Sequence, residues 1–153
     1  MNYNWNEIFA QGERFNKAAE LLNQMDDGLK IVSFTNAAFA IELYYKALYV
    51  KSTGNDPSKA NHDLNTIFES LPKSMQNEIQ ADYNSEQEKR ENLSEQIDSL
   101  KIILPEFCSD FIWNLNQVKH SFLNFRYIYE KEKKAAIVFY PELRLSVIKQ
   151  LMK

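Results

Sequence analysis

Residues 105–130 read PEFCSDFIWNLNQVKHSFLNFRYIYE, and the spacing of their apolar positions decides the fold class. Phe107, Phe111, Leu115, Val118, Phe122, Phe125 and Tyr129 step by 4, 4, 3, 4, 3 and 4 residues. Such steps keep side chains on one face of an α-helix and would scatter them over both faces of a strand. Pro105 suits a first helical position, so this late helix is expected to open directly after it.

Its apolar stripe needs partners, and the rest of the chain supplies them at the same period. Trp5, Ile8, Phe9, Phe15, Ala19 and Leu22 form a first helical stripe that Asp26-Asp27-Gly28 interrupts. From Leu29 to Lys51 apolar residues cover most of the circumference, with Phe34, Ala38, Ile41, Tyr45 and Leu48 on one side and Phe39, Leu43, Ala47 and Val50 on another. A helix of that kind belongs at the centre of a bundle. Gly54 and the Asn55-Asp56-Pro57 turn stop it, and Asn61 is expected to cap a short helix carrying Leu64, Ile67, Phe68 and Leu71.

Ser74 to Asn92 is polar, with Met75, Ile79 and Tyr83 as its only anchors, and reads as a solvated helix or connection. Leu93, Ile97, Leu100 and Leu104 resume the period, and Asn92 with Glu95 has the spacing of a capping box. After a charged connector at Lys131 to Lys134, Ile137-Val138-Phe139-Tyr140 suits a short extended segment. Pro141 then opens a final helix with Leu145, Ile148 and Leu151 inward. The expectation is all-α: one domain over residues 1–153, a bundle of about five helices.

Composition narrows the function classes. With 153 residues, 44% hydrophobic and 25% charged, the chain has the makings of one globular domain with a real core. No apolar run approaches the ~20 residues that span a bilayer, and MNYNWNEIF lacks the basic start and apolar stretch of a signal peptide, so no membrane role and a cytoplasmic location are expected. One cysteine, Cys108, and two histidines, His62 and His120, give neither a disulfide nor a zinc-ligand spacing, and no cofactor or metal is expected. Glu86, Glu88, Glu91 and Glu95 have no histidine near them and read as a solvated face. There is no Gly-rich phosphate loop, zinc helix or nucleophile elbow, and Cys108, on the late helix, reads as packed. Charge is uneven: residues 1–118 hold 10 Lys plus Arg against 18 Asp plus Glu, or −8, and residues 119–153 hold 8 against 3, or +5. A basic C-terminal part suits an anionic partner or is simply a solvated face.

Three segments recur in order: AIELYYKALYVKSTG at 40–54, NHDL at 61–64 and FLNFRYIYE at 122–130. In that order and spacing they resemble HEPN domains, small helical bundles of prokaryotic defence systems and toxin–antitoxin pairs, many of them dimeric. The resemblance spans residues 34–152. It implies a homodimer and a nucleotide, RNA or protein partner, such as an antitoxin or a nucleotidyltransferase. Ribonuclease members of the family carry an Arg followed, after four to six residues, by a His on the late helix. Here His120 precedes Arg126, the reverse order, and ribonuclease activity is not carried over. The expected function is therefore a non-catalytic binding component. The alternatives are an unorthodox metal-independent ribonuclease using His120 and Arg126, or a subunit that presents substrate to a nucleotidyltransferase.

Projected at 100° per residue from Val118, Trp113, Asn116, His120 and Tyr127 fall near about 220°, 160°, 200° and 180°, opposite the core stripe. Such a face suits an intramolecular contact, a dimer interface, or a nucleotide or RNA surface. Arg126 has the planar fork for a phosphate and Tyr127 the ring for a base, although Arg126 also stands four residues before Glu130. Glu42 and Lys46, at i and i+4 on the central helix, read as an internal ion pair. His62 and Asp63 occupy a first helical turn, where a carboxylate favours the helix dipole, and the HDL motif allows His62 to face the late helix.

Overall fold

The computed structural model describes residues 3–25, 27–60, 63–126 and 139–153, with backbone only at 27, 59, 60 and 120–126. Its described residues form seven α-helices and no strand: α1 (Trp5–Met25), α2 (Lys30–Thr53), α3 (Leu64–Glu69), α4 (Lys73–Glu88), α5 (Leu93–Ile103), α6 (Phe111–Arg126) and α7 (Tyr140–Leu151). The all-α expectation holds, with more helices than the five counted from the pattern. None is long and apolar enough to cross a membrane.

Helix α2 is the axis. Ala38, Ala40, Ile41, Tyr44, Tyr45, Ala47 and Leu48 are all buried, so it is enclosed on most sides, as its all-round apolarity requires. Gly54 ends it in the left-handed region (φ 70°), its N–H donating to the Val50 carbonyl at 2.8 Å. Helix α1 turns back along α2 through a short 3-10 turn, Asp27–Leu29, and Ser33 Oγ ties the two by donating to the Ala19 carbonyl at 2.7 Å. Helices α3, α6 and α7 pack on other sides of α2, and α4 packs chiefly on α7. Rings of Tyr45, Phe68, Phe111, Tyr83, Phe139, Phe107 and Trp113 follow one another through the core, neighbouring centroids 4.9 to 6.4 Å apart.

Several boundaries differ from the expectation. The late helix begins at Phe111: residues 105–110 form a turn and loop, so Phe107 is a buried loop residue and Cys108 lies outside the helix. Asn114 holds that loop by donating to the carbonyls of Cys108 and Asp110. The cap of α3 is Asp63, which accepts from the N–H groups of Asn65 and Thr66, while Asn61 lies outside the described residues. Asn92 and Glu95 form no capping box, because Asn92 is left-handed (φ 55°) and its side chain makes no cap bond. Residues 74–88 are an integral helix, with Ile79 and Tyr83 fully buried. Of the expected extended segment, 137 and 138 lie outside the described residues; Phe139 is in a turn and Tyr140 opens α7. On α7 Leu151 is inward as expected and Ile148 packs partly buried against the core, with Leu143 and Val147 also buried, whereas Leu145 is exposed.

Candidate functional site

The segments carrying the resemblance belong to elements that pack together, since α2, α3 and α6 are mutual neighbours. On α2, Lys46 Nζ stands 2.6 Å from Glu42 Oε1, and Glu42 is only 3% exposed, so this is the internal ion pair expected of it. Asp63 joins α3 to α6: besides capping α3, its Oδ2 accepts from Lys119 Nζ at 2.7 Å. The Lys119 ammonium, helped by the cap bonds, holds the Asp63 carboxyl below the usual range against the opposing cost of its partial burial. Asn65 Nδ2 donates to Asn116 Oδ1, and Asn65 Oδ1 is buried without a hydrogen-bond partner.

On α6, Trp113 is half-buried, its ring edge-on to Phe107 with centroids 5.1 Å apart, and Asn116 is engaged by Asn65. Two residues of the face opposite the core stripe thus have contacts inside the subunit. His120 and Arg126 lie on the same helix, six positions and about 9 Å apart along its axis. His62 and Tyr127 lie outside the described residues, as does Glu130.

Among the described residues, four of the eight basic side chains of 119–153 are matched internally. In residues 119–153 the basic side chains the structure describes are Lys119, Arg144, Lys149 and Lys153, and each meets a carboxylate of the acidic part of the chain. Lys119 pairs with Asp63, Arg144 with Glu13 at 3.0 Å, Lys149 with Asp82 at 3.2 Å and Glu86 at 2.9 Å, and Lys153 with Glu78. Hydrogen bonds to Glu86 and Asp82 raise the Lys149 ammonium, and bonds from Lys89 and Lys149 lower the Glu86 carboxyl. Glu86 therefore serves as a partner of lysines, and no cluster of metal-type ligands occurs among the described residues. Largely solvent-accessible, these pairs add little stability each, and they span the contacts of α7 and α6 with α1, α3 and α4.

What the sequence pattern did not single out is an apolar surface at the tip of the α1–α2 hairpin. Leu21 and Met25 in the last turns of α1 are 53% and 72% exposed, and Ile31 and Val32 in the first turn of α2 are 40% and 46% exposed. Their signal was present: Leu21 and Met25, at i and i+4, stand off the stripe of Phe15, Ala19 and Leu22. Four large apolar side chains within a dozen residues are more than the scattered exposure of an ordinary surface. No family model, curated protein or solved structure matches the chain.

Proposed function

We infer that this chain is a HEPN-type helical domain that works without catalysis, as the protein-binding member of a defence or toxin–antitoxin type pair. The order of the three segments and the packing of α2, α3 and α6 support the family reading. The reversed order of His120 and Arg126 supports a non-catalytic role. The observation that carries the choice of a protein partner is the contrast between two surfaces. The basic side chains described in 119–153 are already paired with carboxylates, which weakens them as phosphate contacts, whereas Leu21, Met25, Ile31 and Val32 are left in water.

The test is co-expression with the protein encoded by the neighbouring gene, followed by size exclusion. The two chains are expected to elute together, and Met25→Glu combined with Val32→Glu to separate them without loss of helical circular dichroism. A complex indifferent to the double substitution, or a homodimer that it dissociates, overturns this choice of partner. So does micromolar binding of a single-stranded RNA at roughly 150 mM salt, where paired cations should contribute little.

A further inference from the structure

Two open grooves, one between α1, α2 and the start of α7 and the other between α1 and α7, meet at Glu20. One, of about 210 Å³, is an apolar slot walled by Ala19, Phe34, Ala37, Tyr140 and Pro141. The other, of about 400 Å³, is lined by Glu13, Arg14, Asn16, Lys17, Glu20 and Arg144. Buried Asn16 is the partition: its Oδ1 accepts from the Tyr140 hydroxyl, and its Nδ2 donates to Glu20 Oε1 at 2.9 Å. Behind it the buried Tyr44 hydroxyl donates to Glu13 at 2.5 Å, and Arg144 closes on the same carboxylate.

The charges here fall into two groups. Arg144 and Glu13 satisfy each other, which takes them out of play. Arg14 donates to neutral Gln11 at 2.9 Å, and Lys17 makes no ion pair among the described residues. Among the described residues Glu20 meets the neutral Asn16 amide and no cation, and it is otherwise open to solvent. The groove thus presents two exposed cations and one exposed carboxylate that form no direct ion pair among the described residues, beside an apolar slot with two aromatic walls.

We propose that this groove binds a free α-amino acid with an aromatic side chain. The three features match the three groups that such a molecule carries on one carbon. Its ammonium meets Glu20 at the junction, its carboxylate meets Arg14 and Lys17, and its ring enters the slot between Phe34 and Tyr140. Phosphomonoesters fit less well, because a dianionic head leaves Glu20 facing a like charge. The site uses neither α6 nor the family resemblance, and stands or falls independently of the partner proposed above.

Isothermal titration of the purified chain with L-phenylalanine, 3-phenylpropionate and phenethylamine tests each contact separately. L-phenylalanine is expected to bind more tightly than either analogue. Glu20→Gln, which keeps an acceptor for Asn16, is expected to weaken phenylalanine and phenethylamine about tenfold and leave 3-phenylpropionate unchanged. Arg14→Gln with Lys17→Gln is expected to weaken phenylalanine and 3-phenylpropionate and spare phenethylamine. These residues are on the surface of α1, so all variants should keep wild-type circular dichroism. No heat from L-phenylalanine at millimolar concentration overturns the proposal, as does binding that ignores both sets of substitutions.

Discussion

Arg90 and Glu142 face each other across the end of α4 and the start of α7, with Nε on Oε1 and Nη2 on Oε2 at 2.9 Å. The Arg90 guanidinium also lies 4.7 Å from the centroid of the Phe139 ring, and Glu142 is nearly sequestered from solvent. Two-point geometry and a ring beneath the guanidinium give this ion pair a defined orientation. Glu142→Ala removes the two-point partner of a guanidinium packed on an aromatic ring. Because Arg90 keeps a quarter of its side chain in solvent, the cost is expected toward the lower end, roughly 2 to 3 kcal/mol. Urea unfolding should show it, and a midpoint equal to wild type would mean that water replaces Glu142.

Gly12→Ala is expected to destabilise the hairpin even though alanine is the better helix former. A Cβ at Gly12 would sit 2.8 Å from Cε1 and 3.0 Å from Cδ1 of Tyr44. That ring is fully buried, bonded to Glu13 and packed at a tilt against Phe9, so it has no free end to swing away. Overpacking of about 1 to 3 kcal/mol outweighs the ~1 kcal/mol gained in helix propensity. A rise in melting temperature would show that α1 slides along α2 at little cost.

The same region shows what the sequence could convey. Helix α2 was legible because apolar residues on every side have one physical meaning, and Gly54 marked its end. Helix α4 was not, since its buried face includes Gln76 and Gln87, which satisfy themselves on the carbonyls of Glu69 and Leu71 and of Ser109. No periodicity rule sees such bonds in advance. The start of α6 is not visible in the pattern, because buried Phe107 keeps the helical step while sitting in a loop. Of the candidate site, the local pair Glu42–Lys46 could be read from i, i+4 spacing. Asp63 with Lys119 and Arg144 with Glu13, 56 and 131 residues apart, could not, because only the tertiary fold brings them together.

Tyr45→Phe is expected to be neutral or slightly stabilising. The Tyr45 ring is fully buried against Phe68, but its hydroxyl has no hydrogen-bond partner, and burial drives its pKa far up. Removing an unpaired buried hydroxyl relieves a desolvation cost of about 1 to 3 kcal/mol and loses no bond. Tyr44→Phe, which loses the bond to Glu13, is the contrasting control and should destabilise. A clear loss of stability in Tyr45→Phe would reveal a bound water holding that hydroxyl.

Asp63 gives the fold a pH dependence of known sign. Its carboxyl is lowered in the folded chain, so its contribution is full above the unfolded value near 3.8 and disappears as pH falls through the folded value. Asp63→Asn keeps a cap acceptor and removes the charge that Lys119 meets. With the side chain about a third exposed, the difference at pH 7 is expected to be a few tenths to about 1 kcal/mol. Denaturation of both proteins from pH 7 to pH 2 should show the two stabilities converging at the acid end. A difference that persists unchanged at pH 2 would assign the effect to capping geometry instead of charge.

Trp113 decides between two uses of the outer face of α6. Its ring meets the edge of Phe107, the buried residue that anchors the loop of residues 105–110, and Phe107 in turn touches Phe139. Trp113→Ala therefore removes one end of the ring series and loosens that loop. A fully buried tryptophan costs roughly 3 to 5 kcal/mol when truncated, and a half-buried one about half as much, so about 2 kcal/mol is expected. Trp113→Phe should recover most of it. Light scattering should give the same mass for wild type and Trp113→Ala, since the contact lies within one subunit. Wild-type stability combined with a halved mass would place the ring in an interface between two copies of the chain.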